Sequence, residues 1–131
     1  MKIFFQDQNF AFEFLRLLGE TTYGGADINE CFATAARIRE DDYESWFQEW
    51  NRTAQRIHQI AEDCLAKGHV VSAREAFLRA SNYYRSAEFF MHMHIGKPDP
   101  RSLETYDKSV ACFHEGIRYL SFPAEIVKIP R

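Results

Sequence analysis

Apolar residues recur at steps of three and four along most of this chain, the period of helices that bury one face. The clearest stretch runs from Ser72 to about Met93. There Ala73, Ala76, Phe77, Ala80, Tyr84, Ala87 and Met91 form a narrow stripe, and its alanines allow another helix to approach closely. A second stripe, Leu78, Tyr83, Phe89 and Phe90, points elsewhere. A helix apolar on two sides is expected at the centre, with neighbours on both. Ser72 with Glu75 three residues on reads as its capping box.

The same reading along the chain predicts four more helices. The first is capped by Asn9, carries Phe10, Phe14, Leu17 and Leu18 inward, and ends at Gly19. A tight connection with the glycine pair Gly24-Gly25 follows. Asp27 and Glu30 open a short second helix with Ile28, Cys31, Phe32, Ala35 and Ile38 inward. The third opens at Asp41 with Glu44, carries Tyr43, Trp46, Phe47, Trp50, Ala54, Ile57, Ala61, Cys64 and Leu65, and closes at Gly68. The link from Gly68 to the central helix is so short that the two must form an antiparallel hairpin. Ile95-Gly96-Lys97-Pro98 stops the central helix; Asp99 then caps a fifth, with Pro100 at its first position. Leu103, Tyr106, Val110, Phe113, Ile117 and Leu120 read as that helix's bundle seam.

The pattern therefore gives an all-α domain of about five helices in an antiparallel bundle, ending before Pro123. The period then changes. Ile126, Val127 and Ile129 read as a strand with nothing in a helical domain to pair with.

Composition narrows the function classes. At 131 residues the chain is one ordinary domain, rich in aromatic residues (12 Phe, 6 Tyr, 2 Trp). A net charge of −3 with interspersed signs gives no electrostatic case for a nucleic-acid partner. No apolar run approaches the ~18 residues of a membrane span, and the N-terminus is no signal peptide. Cys31, Cys64 and Cys112 are odd in number and far apart, so they suggest neither a disulfide framework nor a zinc site. A reducing, cytoplasmic compartment is expected.

Motifs for chemistry are missing. There is no G-x-S-x-G, P-loop, G-x-G-x-x-G or H-E-x-x-H, so no cofactor site is expected. His58, His69, His92, His94 and His114 do not make a metal site; His92 and His94 stand two apart, not the three or four one helix face requires. Asp41/Asp42 and Glu62/Asp63 are neighbours in sequence and point to different sides of a helix. Glu75 and Arg79 read as a surface pair, Trp46 and Trp50 as core, and the glycine turn as structural.

Several segments carry a resemblance. They are Tyr23–Asp27, Glu44-Ser45-Trp46 with Trp50, Gly68-His69, Tyr106–Ser109 with Cys112-Phe113, and above all Ser72–Phe90. Together they resemble the N-terminal helical domain of a group of α/β-hydrolases. That group includes the 2,6-dihydroxypseudooxynicotine hydrolase, fungal polyketide-shortening hydrolases and the fermentation–respiration switch proteins. The resemblance implies that residues 1–122 are a helical cap and residues 123–131 a linker and first strand of an α/β-hydrolase domain. It implies a serine hydrolase acting on an ester or on a carbon–carbon bond next to a ketone. The catalytic Ser, Asp and His would lie in that second domain, the chain's partner in cis. Tyr83, Tyr84, Arg85, Phe89, Phe90 and His92 become candidates for a wall facing substrate or the other domain. Cut from its partner, the fragment is expected to self-associate.

A second class competes. Ala80, Tyr84 and Ala87 on a helix hairpin also fit a stand-alone tetratricopeptide-like interaction module. Against it, Gly68 sits between helices and no 34-residue self-similarity is evident.

Overall fold

A computed structural model describes residues 3–93 and 97–131. It contains α1 (Gln8–Gly19), α2 (Ile28–Ala35), α3 (Tyr43–Ala66), α4 (Val70–Glu88) and α5 (Pro100–Ile117). Short 3₁₀ turns at Glu20–Tyr23 and Phe89–Met93 follow α1 and α4. The all-α bundle expected from the periodicity is what forms. The central helix is α4: it packs along α3 on one side and α5 on the other, and touches α1. Its alanine stripe is fully buried from Ala73 to Met91.

The helix starts follow side-chain caps. Asp27 accepts from the backbone N–H of Asn29 and Glu30, and Asp99 from Arg101, as the sequence indicates. Gly68 has φ +76° and ends α3 in the left-handed conformation expected of it.

Other boundaries move. Asp7, not Asn9, caps α1, accepting from Phe10 N–H. Asp42, not Asp41, caps α3; Asp41 sits at φ +58° in the turn before it and cannot also be the extended cap residue. Gly19 lies inside α1, which continues into the 3₁₀ turn, and the left-handed residue is Gly24. The central helix begins at Val70 rather than at Ser72, with His69 at the cap and no side-chain capping bond. The stop signal's Ile95 and Gly96, and His94, lie outside the described residues.

The core is aromatic. Phe5, Phe10, Phe14, Trp46 and Phe90 pack ring against ring at centroid distances of 4.8–5.9 Å. The indole N–H of Trp46 donates to the Ser86 carbonyl at 2.8 Å, so the buried ring leaves no donor unpaired. Both tryptophans are core, as read from the sequence. Phe5 belongs to a segment with no periodic signal. The Glu40 carboxylate holds that segment by accepting from Gln6 and Asp7 N–H at 2.8 and 3.2 Å.

Residues 123–131 are exposed and unpaired. The strand expected there belongs to a following domain, and the described helices offer it no ladder partner. The seam of α5 is not the one expected. Ser102, Thr105, Ser109, Cys112 and Gly116 are buried against α4, while Leu103, Tyr106 and Phe113 are 65%, 52% and 49% exposed. Both sets have three-and-four spacing and differ by one residue, a rotation of about 100°. The reason is close approach. A Cβ on Gly116 would stand 2.7 Å from Leu78 Cδ2, and Ser81 and Ser109 bond across the contact. Large side chains do not fit there, so they turn outward.

Candidate functional site

A concavity of about 790 Å³ lies where α4 ends and α5 begins. Met91, Leu103 and Tyr106 give it apolar walls, and Glu88, His92 and Ser102 a polar end. Local structure fixes these positions. Helix α4 tightens into 3₁₀ geometry after Glu88, which carries His92 to the groove's edge one turn on. The start of α5 is clamped to the start of α3. Arg101 pairs bidentately with Glu44 at 2.6 and 2.9 Å, pairs with Asp99 at 2.8 Å, and lies 4.7 Å over the Phe47 ring. These partners hold the Arg101 guanidinium well above its ordinary range and the Glu44 carboxyl below its own.

Glu88, His92 and Ser102 invite comparison with a nucleophile relay. The comparison fails on geometry. Glu88 Oε2 contacts His92 Nε2 at 2.5 Å, and Ser102 Oγ is 3.3 Å from that same nitrogen and 3.4 Å from Nδ1. Serine and carboxylate thus crowd one side of the ring, whereas a relay places them on opposite nitrogens. Ser102 is also buried and donates to Glu88 at 3.2 Å. The arrangement orients an exposed imidazole; it does not activate a nucleophile.

The residues singled out from the sequence do not gather in one place. His92 lines the groove, with a side chain 67% exposed. Phe89 is half-buried against Phe90 and beneath Arg85. Arg85 is half-buried on the side facing α1, where its charge acts on Glu13 and Glu20. Tyr83, Tyr84 and Phe90 are core. The Tyr83 hydroxyl donates to Glu30 Oε2 at 2.6 Å and accepts from Asp27 N–H at 2.9 Å; burial pushes its pKa far up. Tyr84 meets His58 Nδ1 at 3.1 Å, and Phe90 packs on Trp46 and Tyr43. These rings are consumed by the domain's own packing and leave no surface for a wall.

Arg79 is a further correction. It does not pair with Glu75 along its own helix. It reaches Glu30 of α2 at 3.1 and 3.2 Å, and together with Tyr83 it ties the glycine turn to α4. Asn82 completes that tie by donating to the Gly25 carbonyl at 2.8 Å, so close that a Cβ on Gly25 would stand 2.7 Å from its Nδ2. The turn has the structural role read from the sequence.

Sequence reasoning missed Glu88 and Ser102 and the outward turn of α5. The spacing of Ser102, Thr105, Ser109, Cys112 and Gly116 was the available signal, hidden because small polar residues do not register in an apolar pattern.

No family model matches the chain. Relatives do. It is 45% identical over 103 residues to the hydrolyase poxO of Penicillium oxalicum, covering 79% of this chain and 24% of that protein. It is 40% identical over 129 residues to the 20-hydroxy-prefusarin hydrolase FUS2 of Gibberella moniliformis, covering 98% and 30%. It is 38% identical over 126 residues to the alpha/beta hydrolase psoB of Aspergillus fumigatus, covering 96% and 28%. The chain is related to one segment of these fungal enzymes, of which psoB is named an alpha/beta hydrolase. The resemblance to the polyketide-shortening hydrolase group rests on the same kinship. The chain spans about a quarter to three-tenths of the length of these relatives. Among the described residues, no helix is long and apolar enough to cross a membrane.

Proposed function

We propose that this chain is the helical cap of a serine α/β-hydrolase that cleaves an ester or a carbon–carbon bond next to a ketone. Residues 1–122 are the cap, and residues 123–131 the linker and first strand of the catalytic domain. One observation carries the reading. The similarity to hydrolases runs over nearly the whole chain, yet it leaves most of each hydrolase unmatched, and this sequence holds no nucleophile elbow.

The cap's contribution is to exclude water and shape the substrate's surroundings. The groove suits that work. Met91, Leu103 and Tyr106 receive apolar parts of a substrate, and His92, held by buried Glu88, offers an oriented polar contact to an oxygen. Phe89 and Arg85 lie back from the groove and line the approach of the other domain. Tyr83, Tyr84 and Phe90 act by holding the scaffold rigid.

The test is hydrolysis of aryl esters and of aryl β-diketones. The chain joined to its catalytic domain should turn over one of these classes, and the 131 residues alone neither. Turnover by the purified 131 residues above a heat-killed control would sink the proposal. The chain alone should also self-associate through its uncovered apolar surface. A strictly monomeric species at high concentration in sedimentation would count against that consequence.

A further inference from the structure

The fifth helix is built the wrong way round for a free-standing bundle. Its inner seam is Ser102, Thr105, Ser109, Cys112 and Gly116, all buried. Its large apolar residues, Leu103, Tyr106, Val110, Phe113 and Ile117, form a parallel stripe, of which Leu103, Tyr106 and Phe113 are exposed and Val110 and Ile117 half-buried. From Leu103 to Ile117 the stripe is about 21 Å long. Beyond it, pairs such as Glu104–Lys108 and Glu115–Arg118 form a charged border. An apolar strip between a packed seam and a charged border has the anatomy of an interface core with its rim.

Resting on the cap reading, we infer that the outward stripe of α5 is the seat of the catalytic α/β domain, and that the groove at its N-terminal end is the part left open to the active site. Three observations select this occupant. The related hydrolases carry more than twice this chain's length in residues that it does not match, so a large partner is available within one polypeptide. The chain leaves α5 through Tyr119, whose carbonyl accepts from Arg74 of α4, and from Phe122 on it is exposed, including Ile126, Val127 and Ile129. A domain on so short a tether meets the stripe at high effective concentration. Finally, Leu103 and Tyr106 belong both to the stripe and to the groove, so a domain seated on the stripe has its edge at the groove.

A competing surface exists. Phe12 and Leu15 of α1 and Ile28 and Phe32 of α2 are also exposed. It lacks the long helical register of the α5 stripe, and it serves as the internal control.

The experiment is radical footprinting of the intact hydrolase and of the 131-residue chain, each at a concentration where it is monomeric. Tyr106 and Phe113 should label at least about fivefold more slowly in the intact protein, as side chains at an interface core do, while Phe12 and Phe32 label equally in both. Protection of Phe12 and Phe32 with Tyr106 and Phe113 unchanged would overturn the inference. So would protection of the stripe that appears only when the intact hydrolase dimerises, which would make its occupant a second copy. Ester and β-diketone hydrolysis is read on the same preparation. Activity with an unprotected stripe refutes the seat and leaves the cap reading standing; a protected stripe without hydrolysis does the reverse.

Discussion

Ser81 and Ser109 exchange hydrogen bonds across the α4–α5 contact: each hydroxyl donates to the other's backbone carbonyl at 2.8 Å. The exchange requires the two backbones to lie close, and only small residues permit that. Leu78 against Gly116 shows the same tightness two turns further along. The first consequence concerns stability. Gly116→Leu should destabilise the chain by about 1–3 kcal/mol, because its side chain has to displace Leu78 and part the helices. Phe113→Ser, on the same helix but outside the seam, should stay within about 0.5 kcal/mol in the isolated chain. Urea midpoints of the two variants measure the contrast.

Tyr83 joins the glycine turn, α2 and α4 through one hydroxyl. It donates to Glu30 and accepts from Asp27 N–H, and Glu30 also receives Arg79. Tyr83→Phe removes a bond to a carboxylate acceptor and leaves the part-buried Asp27 N–H without this partner, at a cost of about 2 kcal/mol. Denaturant unfolding gives the cost. Hydrogen exchange should show faster opening at Asp27 than at Trp46, whose packing the variant does not touch.

These two contacts mark where sequence could and could not speak. The helices were legible because Trp46, Trp50, Ala54, Ile57 and Ala61 recur at helical spacing and all end up buried. Asp27, Asp99 and Gly68 were legible because each has one strong local use. The α5 seam was not. Burial there is decided by backbone proximity between two helices, and a rule that seeks large apolar residues selects the neighbouring stripe. Tyr83 and Phe90 were misread for a related reason. The second apolar face of α4 was assigned to another domain, but Phe10 of α1 packs on Phe90 and Glu30 of α2 bonds Tyr83. The groove was half legible: His92 was visible as a candidate, while its partners Glu88 and Ser102 come together only through the turn between α4 and α5.

The cysteines give a chemical readout of the packing. Burial pushes the thiols of Cys31 and Cys112 up to about 12, so almost no thiolate exists at neutral pH. Cys64 is half-buried on α3. A disulfide reagent at pH 7.5 should modify Cys64 in the native chain, and Cys31 and Cys112 only with the rate of unfolding. Mass spectrometry of the native and urea-treated protein distinguishes one adduct from three.

Glu13 contributes one part of the pH dependence. It is buried on α1 with one carboxylate oxygen lacking a hydrogen-bond partner. Burial raises its pKa above 4.5, an effect that the Arg16 and Arg85 charges only partly offset. The folded state therefore holds this proton more tightly than the unfolded chain does. As pH rises from the unfolded pKa through the folded one, unfolding releases a proton, and the group's contribution to stability falls. At neutral pH the ionised side chain is a net cost. Glu13→Gln keeps the shape and removes the charge, so it should raise the melting temperature at pH 7. The gain should shrink toward zero as pH drops below about 4.5, where wild-type Glu13 is protonated in both states. Thermal unfolding of both proteins between pH 4 and pH 8 gives the difference curve. A gain that is flat across the range would place the effect in packing rather than in the buried charge.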